Sequence, residues 1–369
     1  LFSKTMYIQP YKFIFYCKNI FDTFSNSRQK IRFAKSKTKS LQLYIIIRKD
    51  NNMFTNKKKI ALVGTGMVGM SFAYAALNQN LCDELVLIDI NEQRARGEAM
   101  DLNHGIAFSP ASTKIYAGNY SDCKDADIVV ICAGASQRQP SQSRLELLKG
   151  NYEIFRKIVP QITESGFEGI FIVATNPVDI MTRITCELSG FKAEKVIGTG
   201  TTLDTARLRY LLGEYFEVDP RNIHAYVIGE HGDSEFVPWS QALIAVKPIC
   251  DVLSDNSKSY FMEDLDRISR EVRTAAHEII AAKKATYYGI GMAIVRVARA
   301  VLENENSVLT VSVRLRGEYG GKKDVFLGNP AIIGSEGAKR MLELKLTPSE
   351  QKYLENSYNI LNDTYKSIL

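Results

Sequence analysis

Four histidines occur in the 369 residues, at 104, 224, 231 and 277. One of them is set where an imidazole can be offered to a ligand. His231 lies in Gly229-Glu230-His231-Gly232-Asp233, between two glycines that let a loop bring the ring close. Upstream runs Leu203-Asp204-Thr205-Ala206-Arg207-Leu208-Arg209, in which Asp204 and Arg207 are three apart and share one face of a helix. A carboxylate beside the imidazole would fix its tautomer and raise its pKa, so that the ring can both donate and accept a proton. A guanidinium on the same face would clamp a substrate carboxylate through two parallel N–H···O bonds. This trio suits acid–base chemistry on an anionic carbonyl compound. The same residues also have the form of an ordinary helix salt bridge and a structural histidine, and both readings stay open at this point. Arg209, two residues on, is turned by about 200° from Arg207. It leaves the opposite face, where a solvated arginine is the default expectation. His277 falls inside a regular helical pattern, as a surface or packing residue.

Such a site needs a scaffold, and the scaffold is centred on Lys57 to Asp89. An apolar run, Ile60–Val63, leads into Gly64-Thr65-Gly66-Met67-Val68-Gly69, then a small-residue helix (Met70 to Gln79) and a second apolar run, Leu85–Ile88, ending on Asp89. The glycine spacing alone is weakly specific; set between two strands it has a mechanism. The first glycine makes the tight turn, the second lets backbone approach a pyrophosphate, and the third lets helix pack on strand. The helix N-terminus then offers unpaired N–H groups to the phosphates, and Met67 and Val68 of the turn before it are expected to touch the cofactor as well. Asp89, 20 residues past Gly69, can bind both ribose hydroxyls and would repel a 2′-phosphate, which points to NAD over NADP.

Further apolar runs at Ile128–Ala133 and Ile170–Ala174 alternate with helical segments. That alternation is the pattern of a doubly wound parallel sheet, an α/β fold with ligands held beyond the C-terminal strand ends. Just past those ends stand Gly134 and Ala135, and Thr175 and Asn176, all within reach of a cofactor. The polar stretch from Gly134 to Arg144 is where a lid is expected, carrying Arg144 in to polarise a carbonyl and expel water. Beyond Gly198 we expect helices over 203–216, about 261–283 and about 287–302, with β-type runs at 308–313 and 325–327. The last helix opens on a capping box, Thr347-Pro348-Ser349-Glu350. Its apolar stripe is Leu354, Tyr358, Leu361, Tyr365 and Leu369.

The formal charge of +6 is concentrated at one end: residues 1–52 carry 11 Lys+Arg against 2 Asp+Glu, which leaves the remainder at −3. A mildly acidic body without a basic stripe argues against nucleic acid as a partner. Residues 1–52 lack sustained periodicity and read as a disordered upstream extension, with an organellar transit peptide as the alternative. The six cysteines are scattered without C-x-x-C spacing, which suggests free thiols in a reducing compartment and no metal site. No apolar run approaches the roughly 20 residues of a membrane span.

Taken together, the stretches VGTGMVG, LIDIN, GEAMDLNHG, CAGASQ, SRLELL, ATNPVDI, GTGTTLDTARLR, GEHGDSEFVPWS and KATYYGIGMA resemble the NAD-dependent L-lactate dehydrogenase family over essentially all of 57–369. The resemblance implies a Rossmann NAD-binding domain (53–197) followed by a mixed α/β substrate domain (198–369), in a cytoplasmic homotetramer. It implies that His231 is the proton donor and acceptor, Asp204 its orienting partner, Arg207 the carboxylate clamp and Arg144 the lid arginine. Thr286 would line the side-chain pocket and Asn176 would contact cofactor and substrate. The reaction implied is pyruvate with NADH to L-lactate and NAD⁺.

One departure falls on the lid. The family reads approximately A-G-x-x-Q-K-P-G-E-T-R there, with the Gln selecting lactate, and malate dehydrogenases carry Arg instead. Here the loop is one residue longer and Ser141 stands where a glycine is expected. Counting forward from Gly134 makes the selector Gln137; counting back from Pro140 and Arg144 makes it Arg138. With Gln137, pyruvate is the expected substrate; with Arg138, oxaloacetate; and the longer loop could itself impair closure. In bacterial relatives an Arg and a His placed like Arg209 and His224 bind fructose 1,6-bisphosphate between subunits, so an anionic effector is expected at that pair.

Overall fold

The computed structural model describes residues 57–110, 112–135, 144–254 and 260–368, excluding the side chains of 144–146. The expectations for residues 1–52 and for Gln137, Arg138 and Ser141 fall outside the described residues. Lys57–Leu369 forms one compact unit.

Six short strands build its centre: β1 (Lys59–Val63), β2 (Glu84–Ile88), β3 (Lys114–Ala117), β4 (Ile128–Ile131), β5 (Ile170–Val173) and β6 (Val196–Gly198). They lie in the order β6-β5-β4-β1-β2-β3, all parallel, so the order reverses between β1 and β4. That reversal opens a crevice at the C-terminal strand ends, where ligands of such sheets bind. The strands are apolar throughout because both faces are covered. Ile60 and Leu62 of β1 enter one core and Ala61 and Val63 the other, as strand alternation requires.

The first core is closed by α1 (Met67–Asn78) and α2 (Glu92–Gly105), the second by α3 (Arg144–Glu164) and α4 (Val178–Ser189). Next comes α5 (Thr202–Phe216), then a small antiparallel sheet of β7 (Ile223–His224), β8 (Leu243–Ile244) and β9 (Lys247–Pro248). Two helices follow its short cap α6 (Ile249–Leu253): α7 (Met262–Lys283) and α8 (Tyr288–Leu302). A third core gathers Leu208, Leu212 and Phe216 of α5 against Leu265, Ile268 and Val272 of α7. Finally β10 (Ser307–Arg316), β11 (Lys323–Gly334) and β12 (Gly337–Met341) extend the main sheet to nine strands, β10 pairing antiparallel with β6 at Ser312 and Gly198. The chain ends on α9 (Pro348–Lys366), whose capping box is formed on both sides. Leu354, Leu361 and Tyr365 of its stripe are buried, and Tyr358 is half-buried.

Five elements depart from the sequence expectation. Helix α1 starts at Met67, directly after the turn, and β4 stops at Ile131. The edge strand β3, and the short β6 and β12, were not anticipated, because each has too few apolar residues to stand out from a loop.

Candidate active site

The glycine turn behaves as its spacing requires. Gly64 has φ +101°, and a Cβ there would lie 2.5 Å from Ala133 N; at Gly69 a Cβ would meet the Gly64 carbonyl oxygen at 2.0 Å. Around Gly66 there is open space within 4 Å of a Cβ. Gly66 is the N-cap of α1 and makes no side-chain cap bond to its first turn, which opens with Met67 and Val68. Asp89 follows β2 directly and receives the N–H and hydroxyl of Thr65 at 2.8 and 2.9 Å, and the N–H of Asn91 at 2.9 Å. Burial pushes the Asp89 carboxyl up, but these hydrogen bonds and the Arg94 charge outweigh it and hold it below the ordinary carboxylate range. A helix N-terminus without a side-chain cap, an approachable glycine and an ionised acid at the strand end fit a dinucleotide with free ribose hydroxyls.

The strand-end residues are tied to one another by a side chain that sequence reasoning missed. Asn151 of α3, 1% exposed, accepts the Ala135 N–H at 2.8 Å and donates to the Asn176 carbonyl at 2.7 Å. Thr175 donates its hydroxyl to the Ala133 carbonyl at 2.8 Å. A Cβ on Gly134 would lie 2.7 Å from the Thr175 methyl, so the two loops pack in contact. The Asn176 side chain is exposed, and the Asn176–Pro177 peptide is cis. Arg144 is the first residue of α3.

Asp204 and His231 are brought together through α5 and the chain entering the histidine loop. Thr205 accepts the Val227 N–H at 2.9 Å, and Thr201 donates to the Val227 carbonyl at 2.6 Å. The loop is clamped further along by the Ile228–Phe236 and Gly229–Gly328 bridges. Asp204, 1% exposed, then spans two partners: Oδ2 lies 2.6 Å from His231 Nδ1, and Oδ1 accepts from Arg207 Nη1 at 2.8 Å. The helix salt bridge and the histidine contact therefore share one carboxylate. Burial raises the Asp204 carboxyl, but His231 and then Arg207 more than offset it, and the group sits below its ordinary value. Burial opposes the charge on His231, yet Asp204, with help from Glu235 and Asp179, raises the imidazole to about 9.

Asp179 and Glu235 escaped the sequence reading. Asp179, in the first turn of α4 and 2% exposed, accepts the backbone N–H of His231 at 2.8 Å. Burial pushes its carboxyl up to about 6, against the hydrogen bonds from Ser312 and His231. The ATNPVDI stretch contains Asp179, but nothing local to it signals a partner 52 residues away. Thr286 is half-buried in the link between α7 and α8. Arg209 differs from the solvated default: its Nε donates to the Ala225 carbonyl at 3.1 Å and its guanidinium lies 4.9 Å from the Tyr226 ring centre. His224, His104 and His277 are exposed.

A parallel sheet of this order, with a glycine turn at its switch point, is a dinucleotide-binding fold. The models of the lactate/malate dehydrogenase NAD binding domain and alpha/beta C-terminal domain match residues 58–198 and 201–369. The chain belongs to the lactate/malate dehydrogenase family, with NAD as its cofactor. It is 52% identical over 311 residues to L-lactate dehydrogenase 2 of Bacillus cereus, covering 84% of this chain and 98% of that one. It is 50% identical over 311 residues to L-lactate dehydrogenase 1 of the same organism, with the same coverage. Among solved structures, a lactate dehydrogenase from a Medee basin deep-sea metagenome library has a TM-score of 0.82 at 49% identity, over 85% of this chain and 99% of that one. The minor L-lactate dehydrogenase of Enterococcus mundtii in its ligands-bound form gives 0.83 at 44% identity, over 85% and 99%.

Proposed function

We propose that this chain is an L-lactate dehydrogenase, interconverting pyruvate and L-lactate. The observation that carries the reading is the two-sided contact of Asp204, which holds the proton-transferring ring and the carboxylate-binding guanidinium in one frame. NADH, when bound, supplies the hydride for the ketone carbon. With Nδ1 engaged by Asp204, Nε2 is the ring nitrogen that donates a proton to the carbonyl oxygen, and Asp204 stabilises the imidazolium. Arg207 binds the substrate carboxylate, Thr286 lines the methyl pocket and Asn176 orients the carbonyl. Arg144, at the start of α3, polarises the carbonyl, and Gln137 is the residue assigned to select pyruvate. Gly64, Gly66, Met67, Val68, Gly69, Asp89, Gly134, Ala135 and Thr175 hold the cofactor. We place the boundary between the NAD-binding and substrate domains at about residue 197, with Arg144, Gln137 and Asn176 reaching the substrate from the NAD-binding side.

Pyruvate is favoured over oxaloacetate because the relatives at 50–52% identity are named L-lactate dehydrogenases. A second carboxylate buried against Gln137 would also cost several kcal/mol. Initial rates with the two acids and NADH test this. A preference for oxaloacetate would make Arg138 the selector, and no turnover of any 2-oxo acid would leave an NAD-binding protein with an impaired lid.

We also infer a cytoplasmic homotetramer. Met67, Tyr74, Tyr288 and Met292 line one cleft beside α1 and α8, each more than half exposed, as expected of a face that meets another subunit. Among the described residues no helix is long and apolar enough to cross a membrane. Arg209 and His224 we assign to a fructose 1,6-bisphosphate effector site; Arg209 bonds to Ala225, the residue next to His224.

A further inference from the structure

Glu235 is 3% exposed and closes the turn after His231, its N–H donating to the Gly232 carbonyl at 3.3 Å. The turn folds its carboxyl back on the acid–base pair: Asp204, His231 and Glu235 each bring one oxygen or nitrogen to within 4.8 Å of the others. Its Oε1 is the one fully buried side-chain nitrogen or oxygen among the described residues without a hydrogen-bond partner. Arg273 of α7 reaches only the backbone carbonyl of Glu235, at 3.5 Å. Native structures rarely leave a buried carboxyl oxygen so placed, because it gives up water for nothing, and an apolar residue of similar size would pack there without that cost. The exception calls for a role that does not run through a hydrogen bond.

We propose that Glu235 is a positioning residue that sets the pH range of proton transfer at His231, acting on the imidazole through its charge alone. The inference rests on the reading of His231 as proton donor. The charged groups around Glu235 are Asp204 and Arg207 from α5, His231 from its own loop and Arg273 from α7; Asp179 of α4 acts on His231 from the other side. Burial and then Asp204 push the Glu235 acid up, against His231, Arg207 and Arg273, to about 9. It is thus neutral at neutral pH and ionises in the range where His231 would lose its proton. An anion forming beside the imidazolium opposes that loss, so the donor stays charged to higher pH. A permanent carboxylate there would hold the proton too tightly for the reverse reaction; an apolar residue would let it go too early.

The test compares wild type, Glu235→Gln, Glu235→Leu and His231→Ala in both reaction directions over about pH 5 to 10. In Glu235→Gln the alkaline fall of pyruvate reduction and the alkaline rise of lactate oxidation should both move down by about one pH unit, a tenfold change in protonated His231 at a given alkaline pH. Glu235→Leu should show the same displacement with a raised thermal midpoint, and it decides the matter if the Gln variant does not fold. Activity lowered equally at every pH with unmoved limbs overturns the proposal and leaves Glu235 a packing residue. His231→Ala retaining turnover would instead overturn the reading of His231.

Discussion

The backbone N–H of His231 donates to Asp179 Oδ2 at 2.8 Å, while Ser312 Oγ of β10 donates to the other oxygen of the same carboxylate. One buried acid in α4 thus pins the histidine loop to the sheet extension. Replacing it with alanine leaves two donors without an acceptor, and Asp179→Ala should lose about 2–4 kcal/mol in urea unfolding. Turnover should fall roughly tenfold to a hundredfold as His231 drifts from its position. Asp179→Asn keeps an acceptor for His231 and removes a titration. The Asp179 carboxyl sits at about 6 in the folded chain, above the ordinary 3.8. Its contribution is therefore full at pH values below the unfolded pKa and is lost as pH rises through about 6. The Asn variant should gain on wild type in thermal midpoint between about pH 4 and 8; a gap that stays constant over that range would contradict the titration.

The pairing of Asp204 with His231 makes a second pH-dependent claim. His231 is held protonated to about 9 instead of 6.5. The stability it contributes is full below the unfolded value and is lost as pH climbs through about 9. Asp204→Asn removes this, so the thermal gap between it and wild type should narrow from pH 7 to pH 10, to the remainder owed to Arg207. Pyruvate reduction at pH 7 should fall roughly a hundredfold or more, because the ring loses both its charge and its fixed tautomer. A variant whose alkaline limb is unmoved would show that Asp204 does not tune the histidine.

The turn glycines can be separated by one methyl group each. Gly69→Ala puts a Cβ 2.0 Å from the Gly64 carbonyl, a backbone atom that cannot swing aside. It should cost about 3 kcal/mol or more and reduce soluble protein. Gly66→Ala meets nothing within 4 Å and should leave the thermal midpoint nearly unchanged. NADH affinity should nonetheless fall about tenfold or more, since the methyl occupies the approach to the pyrophosphate. Fluorescence titration with NADH separates the two, and full affinity in Gly66→Ala would move the phosphates away from this turn.

These cases mark what the sequence made legible. Gly64, Gly66 and Gly69 could be read because their task is local: turn, approach and packing all involve residues within a few positions, or the next strand. Asp204 and Arg207 could be placed on one face by helix geometry, but their tie to His231 spans 27 residues and depends on Thr201 and Thr205 gripping Val227. Asn151 carries no local sign in the sequence that it joins two loops from separate strands. Nothing around Glu235 in the sequence marks its buried Oε1, since burial without a partner has no signature in a chain of letters. The edge strand β3 was hidden for the opposite reason: with Lys114 exposed and Tyr116 half-buried, it never forms an apolar run.

Arg209 tests regulation apart from chemistry. It lies on α5, two residues beyond Arg207, and leaves the helix on the other side, where its Nε holds the Ala225 carbonyl and its guanidinium stacks over Tyr226. His224 is exposed one residue before that carbonyl. Two such pairs from symmetry-related subunits would gather basic groups around a sugar bisphosphate, and neutralising them would tighten the contact and favour the substrate-competent state. Such a signal would have a short path, since Arg207 and Arg209 ride on the same helix. The effect is best sought at pH 6. Fructose 1,6-bisphosphate should lower the pyruvate half-saturation of wild type severalfold there and leave Arg209→Gln unresponsive. The variant should keep its unactivated turnover, because Arg209 does not reach the Asp204–His231 pair. A wild type indifferent to the bisphosphate, or an equal response in the variant, would return Arg209 to the role its bonds already show: holding α5 against the strand that leads to His231.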